Sequence, residues 1–181
     1  MSSRGWSEIE YLAAGRHRLR MEGWFGPNWL ASLGMELAQR GISIERATAR
    51  RSSDATWSAE LDLLALPRAD DPLELAYVEL IESDVMQSVH PLQLVRYSLE
   101  EARDVSGALV VSIEADDAVG LVGNFLGQLA MLLLFPLELH VETRGERAFD
   151  SFVVGAMGEA TSTRTRESLE RLLKRACEPY L

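Results

Sequence analysis

The chain has 181 residues, enough for one large domain or two small ones with a sizeable core. Its apolar fraction of 47% and charged fraction of 25% are those of an ordinary globular protein. The net charge of −10 argues against nucleic acid and anionic membrane surfaces, which call for a basic patch, so neither is expected as a partner.

Cys177 is the single cysteine, which rules out an intrachain disulfide and fits a reducing, cytoplasmic setting. The first eight residues are too polar for a signal peptide. Residues 120–137 carry no charge and approach the length of a membrane span. Asn124, Gln128 and three glycines interrupt that run, and Asp116 and Asp117 precede it without Lys or Arg anchors. A buried helix running into a strand is the expected structure.

Residues 7–15 have no clear period. Residues 16–24 alternate around Leu19, Met21 and Gly23 as a short strand. Pro27 and Asn28 then suit a turn and a helix start. Leu30, Leu33, Gly34, Leu37 and Ala38 form one face of a helix over about 29–40, and Gly41 is its expected stop. Residues 42–46 and 57–63 alternate as a hairpin about the polar turn 50–55. Asp71-Pro72-Leu73-Glu74 predicts a capped second helix carrying Leu73, Ala76, Tyr77, Leu80 and Ile81 inward. Residues 92–100 follow as a strand.

The same order then recurs. Residues 107–114 form an opening strand, Gly120 opens the apolar helix, and 137–142 and 148–156 form a hairpin around Arg144-Gly145-Glu146. A last helix runs over about 165–178 with Leu169, Leu172, Leu173 and Ala176 on one face. The spacing from Asn28 to Gly120 is 92 residues and from Ile42 to Leu137 is 95, which predicts an insertion of about one turn in the second helix region. The second unit has no strand after its last helix. Its first strand would then lie at a sheet edge, to be covered by residues 7–15, the other unit or a partner chain.

This pattern of strand, D-x-x-G-L, a helix ending near G-I-x-I, a hairpin and a second helix resembles the ACT domain over roughly residues 16–178. The arrangement is most like the tandem pairs of the glycine-cleavage transcriptional repressor and the nitrogen-control uridylyltransferase. Residues 30–33 and 37–44 carry the likeness in the first half, and Asp117, Gly120 and Leu121 in the second. Phe25 and Asn28 stand where the family's aspartate and glycine would be. The resemblance implies an α+β fold of two ferredoxin-like βαββα(β) units, with antiparallel sheets and helices on one face. It divides the chain into an extension (1–15), a first unit (16–103) and a second unit (104–181) without an evident fourth strand. It also implies a small ligand, with an amino acid favoured, at the strand-to-helix loops between paired units.

The chemistry of those loops supports a site independently. A helix start offers unpaired N–H groups and partial positive charge to a carboxylate. Glycine there admits a ligand to the backbone, and Asp117 could hold an α-amino group or simply cap the helix. The candidate ligand-binding residues are Asp117, Val119, Gly120, Leu121 and Asn124 in the second unit, and Gly26, Asn28 and Trp29 in the first. Trp24, Phe25 and Trp29 are either core packing or the wall of a pocket. No catalytic constellation, metal spacing, cofactor motif or P-loop is present in the sequence. His17, His90 and His140 read as separate surface or turn residues. The expected protein is a non-catalytic regulatory or sensing module with no cofactor, whose apolar second-unit helix suggests a homodimer and whose output lies in a separate regulated protein. The alternative is a structural interaction module that has lost its ligand.

Overall fold

The computed structural model describes residues 5–82, 90–157 and 160–178. Eight strands form one antiparallel sheet in the order β1-β2-β4-β3-β7-β8-β6-β5. In chain order these are β1 (Gly5–Ala13), β2 (Arg16–Gly23), β3 (Ile42–Arg51), β4 (Trp57–Ala65), β5 (Arg96–Glu101), β6 (Leu109–Asp116), β7 (Leu134–Arg144) and β8 (Arg147–Ala156). The helices are α1 (Trp29–Gln39), a short α2 (Tyr77–Leu80), α3 (Leu121–Met131) and α4 (Thr163–Ala176). The fold is α+β, built from two tandem ferredoxin-like units of the ACT type.

Strand alternation puts the core on one face. Leu19 and Met21 of β2, Leu61 and Leu63 of β4, Leu139 and Val141 of β7, and Phe152 and Val154 of β8 are all buried. The outward positions carry ion pairs across strands, such as Arg18 Nε to Asp62 Oδ1 at 2.8 Å and Arg20 Nε to Glu60 Oε2 at 2.9 Å.

The two halves keep a constant register. Trp29 and Leu121, 92 positions apart, begin the two helices, and both helices have eleven residues. Ile42 and Leu134, again 92 apart, begin the strands that follow. The expected insertion of a turn is therefore absent. Leu133 adopts the left-handed φ (+58°) that Gly41 (+71°) adopts in the first unit. Each strand then carries a bulge, at Glu45 in β3 and at Leu137 in β7. The bulge changes the inward phase from Leu134 and Pro136 to Leu139 and Val141, which made β7 look shorter in sequence than it is. Pro136 is tolerated because β3 pairs with β7 only at Glu138–Glu142, past the proline.

The halves meet where β3 pairs with β7. Ala47 faces Val141 and Ala49 faces Leu139, two pairs exchanged by an approximate two-fold axis at Thr48 and His140. Above this join α1 packs on α3. A Cβ on Gly123 would lie 2.6 Å from the Met35 amide nitrogen, and one on Gly34 would lie 2.8 Å from the Gly123 Cα. The apolar α3 is thus buried through Val122, Phe125, Leu126 and Leu129 against its own chain. The feature that suggested a homodimer is accounted for within one chain.

Edge coverage differs from the expectation in one respect. Strand β5, read as the fourth strand of the first unit, pairs instead with β6, from Arg96↔Glu114 to Glu101↔Leu109. Strand β1 takes the corresponding place beside β2. Each unit's opening strand is thus covered by the segment immediately before it, through the Ala14-Gly15 turn in one case and residues 102–108 in the other. A short connection makes such an antiparallel hairpin the cheapest pairing available. The expected second helix is also reduced. Asp71 accepts from the Leu73 amide at 3.0 Å as predicted, but the cap opens a 3₁₀ turn over Pro72–Glu74. Leu75 is extended (ψ 136°), and Tyr77, buried with its hydroxyl donating to the Pro72 carbonyl at 2.8 Å, restarts a helix of one turn. What that segment does over 83–89 lies outside the described residues.

The helix crossing makes a direct prediction. Gly123→Ala places a methyl against backbone on α1 and should lower unfolding free energy by about 1–3 kcal/mol in urea denaturation. Gly26→Ala, which meets nothing within 4 Å, should change it by less than about 0.5 kcal/mol.

Candidate functional site

The strand-to-helix loops of the two units occupy equivalent places and have opposite contents. In the first, Phe25 stacks at 4.8 Å on Trp29, which lies 5.4 Å from Trp57 with the rings edge to face. Trp29 and Trp57 are buried, while Trp24 is exposed. Asn28 precedes α1 with φ −95°, is not left-handed, and makes no side-chain cap. Gly26 and Asn28 are exposed, so the first-unit candidates surround an aromatic plug rather than a cleft. The packing reading of Trp29 is the one the structure shows.

In the second unit the counterparts of Phe25, Trp57 and Ala59 are Asp117, Ala148 and Asp150, as the paired registers of β2–β4–β3 and β6–β8–β7 establish. Gly120 has φ +86° and immediately precedes α3. A side chain there would be strained and would also meet Ala38 Cβ at 3.0 Å. The Gly120 carbonyl accepts from Asn124 N at 2.9 Å, and Leu121 N donates to the Ala118 carbonyl at 3.1 Å. Among the described residues the amides of Val119 and Gly120 have no backbone acceptor, which leaves two donors at the helix start.

This loop borders two clefts. The outer one, of about 510 Å³, is lined by Asp116, Val119, Gly120, Leu121 and Asn124, by Met35, Ala38 and Gln39 of α1, and by His90–Gln93. That volume suits a small organic ligand. Asn124 is not free within it: its Oδ1 accepts from His90 N at 2.9 Å and its Nδ2 donates to the His90 carbonyl at 3.0 Å. Gln128 Nε2 donates to the same carbonyl at 2.8 Å. The inner cleft is narrow, with room for about one water molecule. Asp117 and Asp150 line it from the second unit, and Ser43 lines it from the first. The expected residues are thereby divided: Asp117 belongs to the inner cleft and Asp116 to the outer, with Gly120 and Leu121 shared. Asp117 does not cap α3; its Oδ1 accepts from Thr143 Oγ1 at 3.3 Å.

Asp150 is the residue that sequence reasoning missed. It is 2% exposed, and neither carboxylate oxygen makes a hydrogen bond of good geometry among the described residues, the Glu142 backbone N–H bearing on it only weakly. Burial pushes its carboxyl up to about 7; the nearby Glu142 backbone opposes that rise and the Asp117 charge adds to it. The signal was present in the sequence, since Asp150 falls in the inward phase with Ala148, Phe152 and Val154. His17, read as a surface residue, is likewise inward. It is 5% exposed, with Nδ1 3.1 Å from the Gly15 carbonyl and its ring against Tyr11. Among the described residues no group of three or more His, Cys, Asp or Glu could hold a metal ion. Among them, too, no helix is long and apolar enough to cross a membrane.

No protein-family model matches the chain, and no curated protein matches it in sequence. Among solved structures it is similar to the crystal structure of aspartate kinase from Synechocystis, with a TM-score of 0.50 and 18% identity over 88% of this chain. The chain spans 27% of the length of that protein. At such identity the likeness is one of fold. Together with the eight-stranded tandem sheet, it supports an ACT-like fold.

The carboxyl of Asp150 gives a pH signature. Its folded value lies above the ordinary carboxylate value, so the unfolded chain ionises first as pH rises. Stability is lost from about pH 4 to about pH 7 and then levels. Asp150→Asn removes this cost. In low-salt buffer the variant should gain stability over the parent across that range, on the order of 3–4 kcal/mol at pH 8, in paired denaturation curves.

Proposed function

We propose that the chain is a cytoplasmic, non-catalytic regulatory module that binds a small ligand, an amino acid by preference, at the strand-to-helix loop of the second unit. The observation that carries this reading is the difference between the loops of the two units. One is filled by Phe25, Trp29 and Trp57; the other lacks that plug, and a separate cleft of amino-acid size lies along its outer side, bordered by unengaged amides. A ligand carboxylate would bind the Val119 and Gly120 amides at the start of α3. Asp116, on the rim of the same cleft and paired at 3.0 Å with Arg147, would supply the negative group for an amine through its remaining acceptor capacity, in place of the Asp117 expected from sequence. Binding would bridge α1 and the β6–α3 loop, and so couple ligand to the join between the halves. The finer likeness to the glycine-cleavage repressor and the uridylyltransferase pairs belongs to this reading, as does a separate output protein.

One observation favours a second reading, an interaction module without a ligand. Asn124 and Gln128 are already engaged by the His90 backbone.

A thermal-shift panel of free amino acids separates the two. One of them should raise the melting temperature by about 2 °C or more at saturation. Val119→Trp, which fills the outer cleft from an exposed position, should remove the response, and Asn28→Ala at the plugged loop should leave it intact. A flat panel favours the interaction module.

A further inference from the structure

The sheet ends at β1, and the alternation of that strand sets what its open side presents. Trp6, Glu8 and Glu10 stand on the outer face, opposite Glu22, Arg20 and Arg18 of β2. Ile9 and Tyr11 stand on the inner face, where Ile9 is only half-buried and Tyr11 is exposed. Among the described residues β1 has one neighbouring strand, β2, so the backbone groups on its other side meet no strand. The strand carries neither Lys nor Pro to blunt that side.

The charges are one-sided too. Arg18 is held by Asp62 of β4 at 2.8 Å, and Arg20 by Glu60 at 2.9 Å. The carboxylates of β4 thus take the close contacts, and Glu8 and Glu10 reach Arg20 only at 3.9 and 3.6 Å. Two exposed carboxylates on one edge therefore lack a close cation. A second copy of β1 does not supply it, because antiparallel self-pairing about the middle of the strand sets glutamate against glutamate. The opposite edge, β5, mixes Arg96 with Glu100 in its outer row and offers no row of one sign.

Strand β2 shows what chemistry satisfies β1. The side chains of a strand are shared by the neighbours on its two sides. The neighbour already present reads Arg16-His17-Arg18-Leu19-Arg20-Met21, with Arg on the outer face and Leu19 and Met21 on the inner. A strand added at the open edge meets the same glutamates and the same Ile9, and so calls for the same alternation.

We propose that the open edge of β1 receives an extended basic segment of another protein as a ninth strand. Arg or Lys at alternate positions would face Glu8 and Glu10, and apolar residues between them would extend the inner face beside Ile9. The same glutamates that exclude a second copy then select the partner. The proposal does not rest on the ligand reading, since no residue of β1 lines the outer cleft.

The probe is a capped synthetic peptide with the sequence of residues 16–21, titrated into the full chain at low salt and followed by amide NMR. Saturable shifts should centre on residues 5–13. A version with Glu at the three arginine positions should bind about fivefold more weakly or worse. Glu8→Lys with Glu10→Lys should reverse that preference. Glu100→Lys with Asp104→Lys, the same charge change beyond the other edge, should leave peptide affinity within about twofold. Shifts absent from β1, or equal losses in the two double variants, overturn the proposal. So does a dimer whose β1 amides are protected without peptide, which would make the occupant a second copy. Should the β1 variant fail to fold, N-methylated peptides decide on the parent. Methyls on the arginines and methyls on the residues between them block opposite edges of the peptide. One set should abolish binding and the other leave it within about threefold; equal behaviour of the two overturns the proposal.

Discussion

The close approach of α1 and α3 at Gly34 and Gly123 is the contact on which the rest of the molecule depends. Two helices can lie backbone to backbone only where neither carries a side chain, and here the nearest atoms are main chain. That approach sets the height of both helices over the sheet and lets β3 and β7 come within hydrogen-bonding distance below. The result is one sheet of eight strands rather than two of four. It also explains the composition of α3. A helix apolar over most of its surface needs a partner on each side, and α1 and the sheet supply them within the same chain.

Joining the halves by an approximate two-fold produces two equivalent strand-to-helix loops, and side chains then make them unequal. Phe25, Trp29 and Trp57 convert the first into core, at the cost of leaving the Trp29 indole N–H buried without a partner among the described residues. At the second, Asp117, Ala148 and Asp150 stand in equivalent positions and leave space. Hydrophobic burial at one loop can stabilise the fold while the other tolerates a buried carboxylate that stability alone would not select. Such a division, with one loop given to packing and the other left open, is compatible with the proposed role. The left-handed Gly120 keeps the backbone of the open loop accessible where it faces Ala38 of α1.

Much of the fold was legible because it rests on period and punctuation. Leu19 and Met21, Leu61 and Leu63, and the 3.6-residue stripe of α1 each announce their element, and Gly41 and Gly120 mark helix ends. Three features were not legible, for separate reasons. The bulge at Leu137 reverses alternation inside one strand, so β7 seemed to begin late. Pairing of β5 with β6 rather than β2 is a choice between two edges that local sequence does not encode. The helix after Asp71 kept its cap and lost its length because Leu75 continues in extended backbone rather than in the helix. For the site, the glycine and its loop were visible as motif. The division of labour between Asp116 and Asp117 was not, since adjacent side chains diverge only once the loop is built. Asp150 required noticing a single charge in the inward phase of a strand.

The seam between the halves is the central structural claim, and amide hydrogen exchange tests it most directly. Residues 46–50 of β3 and 138–142 of β7 should hold alternate amides facing across the seam that exchange as slowly as those between β2 and β4. Exchange at those positions as fast as along the outer edge of β1 would show that the halves do not share a sheet, and the equivalence of the paired loops would fall with it.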